Sequence, residues 1–92
     1  MTVAEAKVAV RLNSNVYFKP KYGSGIKGYV ISVAWIHNKG ERPYISVGCH
    51  DHLANSVFYA LPEDLEVTDW KKDQFTVDRM IEAEEKKNYS IE

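Results

Sequence analysis

The chain has one cysteine, Cys49, in 92 residues. An internal disulfide framework and a zinc site made of cysteines alone are therefore excluded. No apolar run approaches the ~18 residues that a membrane-spanning helix needs. Met1 to Lys7 has no basic stretch leading into an apolar one, so no signal peptide is expected. Charge of one sign is missing too: 12 Lys and Arg stand against 13 Asp and Glu, a net of −1. This balance excludes a broadly basic nucleic-acid coat and an acidic solvating tail. There are no internal repeats, no low-complexity tracts and no linker long enough to separate domains. What is present, 45% hydrophobic and 27% charged residues, suits one folded domain with one modest core. The expectation is a single cytoplasmic globular domain without a membrane partner.

The small net charge hides a split. Residues 1–46 carry seven basic and two acidic side chains, a net of +5, and residues 47–92 carry five and eleven, a net of −6. Such halves can pair within the fold, or they can drive head-to-tail association of copies.

The hydrophobic pattern is mostly that of short strands. Val8, Val10 and Leu12 alternate with Ala9 and Arg11, predicting a first strand. Asn13-Ser14-Asn15 is a polar break. Val16-Tyr17-Phe18 reads as a strand that Pro20 stops, and Tyr22 to Gly25 reads as a turn. Ile26 to His37 is the longest strand signal. Neither of its faces is cleanly polar, which predicts a central strand buried on both sides or strongly bent, with Gly28 as the bulge position. Asn38 to Glu41 is a hairpin turn. Tyr44 to Cys49 is a strand with Ile45, Val47 and Cys49 on one side, followed by a polar loop from His50 to Ser56. Val57 to Leu61 is a strand, Pro62-Glu63-Asp64 a 3₁₀ turn, and Leu65-Glu66-Val67 a short last strand. Asp73 to Lys87 predicts a helix with Thr76 as N-cap; if it packs, Phe75, Met80 and Ile81 cover barrel residues, and if it reaches out it is an arm. The tail Asn88 to Glu92 is expected to fray.

This order of signals resembles the SH3-like small β-barrels. A Gly-containing turn precedes a long strand with Gly near its start (Gly28-Tyr29-Val30). A hairpin at Asn38-Lys39-Gly40 follows, and the piece Leu61-Pro62-Glu63-Asp64-Leu65-Glu66-Val67 is similar to the way many bacterial members close the barrel. The resemblance implies a mainly β domain: a barrel of five to six strands in residues 1–70, with residues 71–92 as a C-terminal helical extension of the same domain. Small barrels of this style are often encoded by mobile elements and phages. Plasmid-borne dihydrofolate reductases are similar barrels that assemble around a shared pore. Val57-Phe58-Tyr59 sits where they carry Val-Gln-Ile-Tyr, but the Gln and Ile are absent here.

Four constellations bear on function. Gly23-Ser24-Gly25-Ile26-Lys27-Gly28-Tyr29-Val30 fits the kinase glycine-loop pattern. The lysine on the next strand and the H-R-D motif of a kinase are missing, so the glycines read as turn residues. Cys49-His50-Asp51-His52 groups metal-competent side chains, with His50 and His52 as the weak ligand candidates. Neighbours on a strand point to opposite faces, however, so no metal or other cofactor is expected. Lys19, Lys21 and Lys27 lie among Tyr17, Phe18, Tyr22 and Tyr29, a basic and aromatic segment that could bind nucleic acid. Finally, the aromatics exceed what a core of this size hides, which marks an interface. With no catalytic set visible, the leading expectation is a non-enzymatic interaction module. It would present Tyr22, Tyr29, Trp35, Tyr44, Tyr59 and the C-terminal helix to a protein partner or a second copy. The alternative is a small nucleic-acid-binding barrel using residues 17–29.

Overall fold

The chain opens with a helix, where the alternation of Val8, Val10 and Leu12 predicts a strand. The computed structural model describes residues 1–87 and places α1 over Val3–Leu12. A capping box starts it: Glu5 N–H donates to Thr2 Oγ1 at 3.1 Å, and Thr2 N–H donates to Glu5 Oε1 at 2.7 Å. These two bonds satisfy donors that a helix start leaves open. Alanines at positions 4, 6 and 9 favour the helix, and Asn13 closes it in the left-handed conformation at φ 49°. The apparent period of two arose because Ala9, between the valines, is itself apolar and fully buried.

Five strands follow: β1 (Asn15–Phe18), β2 (Ile26–Ile36), β3 (Tyr44–Asp51), β4 (Val57–Ala60) and β5 (Leu65–Asp69), with the expected 3₁₀ turn at Pro62–Asp64. They form one antiparallel sheet in the order β4-β3-β2-β1-β5. Among the described residues the sheet is open. β4 and β5 are its edges, and no ladder joins them.

β2 is bent three residues later than expected. Its register with β3 slips between Val30 and Ser32, so the bulge falls at Ile31. Gly28 answers a different need: a Cβ there would stand 2.2 Å from the His50 carbonyl oxygen. The bulge also explains why neither face of β2 looked polar. Val30 faces the core from one alternation, Val33 and Trp35 from the other, while Ser32 and Ala34 are exposed. The strand is thus buried on one side at a time and not on both.

The core comprises Ala6 and Ala9 of α1 against Val16, Val30, Ile45, Val47, Cys49 and Leu65 of the sheet. Ser14, in the expected polar break, is fully buried. It donates through its hydroxyl to Trp70 O at 3.0 Å, and its carbonyl accepts from Val30 N–H at 3.0 Å. α2 (Gln74–Glu85) packs on α1. Its N-cap is Asp73 and not Thr76. Thr76 instead donates its N–H and hydroxyl to the Asp73 carboxylate at 2.9 and 2.8 Å, which holds that carboxyl below its ordinary range. Val77 and Glu84 are the buried residues of α2, whereas Phe75, expected to cover the strands, is 71% exposed. The tail from Asn88 to Glu92 lies outside the described residues.

Candidate interaction surface

Strand alternation gives the sheet two unlike faces. One carries the core and is covered by α1. The other carries Asn15, Tyr29 and His50 as one row across β1, β2 and β3, then Ser32, Gly48 and Tyr59 as a second row across β2, β3 and β4. Val57 lies beside His50, and Ile36 beside Tyr44 at the sheet's far end. Gly48 leaves room for Tyr59: a Cβ on Gly48 would stand 3.2 Å from its ring and 2.2 Å from Ser32 Oγ. Tyr59 is 70% exposed.

The residues singled out by sequence do not form one patch. Tyr29, Tyr44 and Tyr59 share this open face. Trp35 turns to the core side, packed against the buried cluster. Tyr22 stands apart in the loop between β1 and β2, 82% exposed, with Lys21 Nζ 5.8 Å from its ring centroid. Lys19 is exposed in the same loop, and Lys27 lies opposite Tyr17 on β1. Tyr17 seals the loop, because its ring occupies the space a Cβ on Gly25 would need.

His50 and Asp51 belong to β3, so the expected loop is shorter than His50–Ser56. The four metal-competent residues there have separate roles. Cys49 points inward, fully buried, and burial pushes its thiol up to about 11. Asp51 accepts from Leu53 and Ala54 N–H at 2.8 and 3.2 Å, and these bonds hold its carboxyl below the ordinary range. His50 bonds Asn55 through Nε2 and Oδ1 at 2.9 Å. The His50 and His52 rings both lie against Tyr29, at centroid distances of 5.1 and 5.6 Å. No group of three or more metal-binding side chains occurs among the described residues.

One feature escaped sequence reasoning. Trp35, Tyr44 and Ile45 form an apolar groove of about 740 Å³ with Met1, Val3, Leu61 and Pro62. The Met1 amino group, donating to Pro62 O at 2.8 Å, fixes its rim. Reading α1 as a strand hid this groove, since the helix start builds one wall. The Thr2-to-Glu5 capping spacing was the signal that could have found it. Compared with family models, with curated proteins and with solved structures, the chain matches none of them.

Proposed function

We propose that the molecule is a non-enzymatic interaction module built on an SH3-like small barrel, associating with copies of itself or with a protein partner through the open face of its sheet. The observation that carries this reading is the exposure of Tyr44, Val57 and Tyr59 on that face. Tyr29, Tyr44, Tyr59 and Val57 lie on it while α1 covers the opposite side, and aromatic groups left in contact with water gain by association. Phe75 of α2, exposed under the Arg79 guanidinium at 5.6 Å, adds a second apolar point for the helix to offer.

Two features support the barrel reading. The 3₁₀ turn between β4 and β5 falls where such barrels cross from one edge strand to the other. Across the core side the Phe18 ring of β1 also meets the Phe58 ring of β4 at 5.6 Å between centroids, although β2 and β3 lie between those strands in the sheet.

Sedimentation over micromolar to sub-millimolar concentration tests the self-association part. Mass rising with concentration is expected, and a monomer throughout refutes it. A second reading rests on the β1–β2 loop, where exposed Tyr22 stands with Lys21 over its ring, near Lys19 and Lys27. In this reading the loop binds single-stranded nucleic acid. Salt-dependent retention on single-stranded DNA or RNA supports it, and no retention at low salt ends it.

A further inference from the structure

We infer that β4 is the self-association edge, pairing antiparallel with β4 of a second copy about a two-fold axis at Phe58. This rests on the self-association part of the reading above and places that contact at the sheet's β4 edge, beside the open face. Asp51 N–H donates to Ser56 O at 2.8 Å. In an antiparallel ladder hydrogen-bonded pairs alternate with non-bonded ones, so Phe58 and Ala60 also spend their backbone groups on β3. The N–H and C=O groups of Val57 and Tyr59 therefore point away from the sheet, along an edge that no strand covers among the described residues.

A strand run antiparallel, with its own outward groups at the same two-residue spacing, meets these groups in a regular ladder. A second β4 supplies it. Setting Val57 opposite Tyr59 of the second copy, and Tyr59 opposite its Val57, uses every outward N–H and C=O of both strands. Phe58 then faces its own copy at the axis. Each exposed Tyr59 gains a β-branched cross-strand neighbour on the open face, a favourable pair.

Charge selects this edge over the other. Asn55 through Leu61 contains no charged residue and no proline, so nothing repels an identical strand. β5, the opposite edge, carries Glu66 and Asp69, which self-pairing would bring together. Acidic side chains and proline are devices that keep edges from pairing. β5 has the first, and β4 has neither.

The test is hydrogen exchange of the Val57 and Tyr59 amides across a concentration series, with sedimentation of Tyr59→Pro and Val57→Lys. Tyr59→Pro deletes an outward N–H and leaves the β3 ladder intact. Val57→Lys keeps the backbone and adds an edge charge, and it serves if the proline variant fails to fold. In the native chain both amides should slow with rising concentration, and either variant should weaken association at least about tenfold. Association that persists in Val57→Lys with both amides still open overturns the β4 edge and leaves the broader reading standing. A native chain that is monomeric at every concentration overturns both.

Discussion

Replacing Gly28 with alanine should be among the most damaging single-methyl changes in the molecule. The added Cβ would stand 2.2 Å from the His50 carbonyl oxygen, 3.1 Å from its carbonyl carbon and 3.4 Å from the Phe58 ring. An ordinary contact needs about 3.4 Å or more, so β2 and β3 must separate by roughly 1 Å at the Gly28–Asp51 rung. The obstacle is backbone, which cannot rotate aside as a side chain does. Overpacking costs about 1–3 kcal/mol where side chains can shift, so the upper end applies. Loss of glycine's freedom in the unfolded chain offsets about 0.4–1 kcal/mol. The net is a loss of about 2–2.6 kcal/mol, which for a domain of this size lowers Tm by roughly 10–20 °C. Gly48→Ala is the matched control. Its nearest obstacle, Ser32 Oγ at 2.2 Å, belongs to an exposed side chain that can rotate, although Tyr59 must yield slightly at 3.2 Å. Its loss should stay near or below about 1 kcal/mol. Urea unfolding of both variants decides the matter. A Gly28→Ala variant within about 0.5 kcal/mol of the native chain, or one no worse than Gly48→Ala, would refute the close-approach argument.

Two further outcomes follow from buried groups. Glu84 is almost wholly buried and bonded by Arg11, with Lys87 Nζ at 3.2 Å, while both cations remain half exposed. Arg11→Met leaves a buried carboxylate with less compensation and should cost about 1–3 kcal/mol, whereas Glu84→Met leaves the Arg11 and Lys87 cations half exposed to water and should cost less. Equal losses in urea titration would contradict this asymmetry. For Cys49, burial raises the thiol from 9.0 to about 11. The unfolded chain therefore loses the proton first as pH rises, so native stability is full below pH 9 and declines between about pH 9 and 11. The decline should vanish in Cys49→Ala once the common background is subtracted. In the native state at neutral pH a thiol reagent should leave Cys49 unmodified until urea unfolds the chain.

The strands from β1 to β5 were legible because their signals are local. Turn residues punctuate them, Gly40 takes φ 80° where the hairpin needs it, and Ile45, Val47 and Cys49 alternate as the buried side of β3. The misreadings have a common cause. Period two cannot be told from a helix when the intervening residue is as apolar as Ala9, and a bulge shifts the phase of alternation midway along β2. The identity of the α2 cap went to Asp73 because a carboxylate there accepts two bonds from Thr76, whereas Thr76 as cap would have left Asp73 outside the helix. The open face was legible only as an excess of aromatics. Which of them share it depends on the Ile31 bulge, which puts Trp35 inward and leaves Tyr29 outward.

The charge split separates two modes of association. If the +5 and −6 halves drove copies together head to tail, association would be screened by salt and would not close at a dimer. Charges of the two halves already pair within the fold, since Arg11 of the first bonds Glu84 of the second within the α1–α2 layer. The β4 edge is neutral from Asn55 to Leu61, and its pairing relies on backbone groups. Raising salt from about 0.05 to 0.5 M shortens the screening length from roughly 14 to 4 Å. Edge pairing should therefore change its dissociation constant by less than about threefold over that range, and its mass should stop at the dimer. A loss of affinity of tenfold or more, with species beyond the dimer at low salt, would assign association to the charged halves and remove β4 from it.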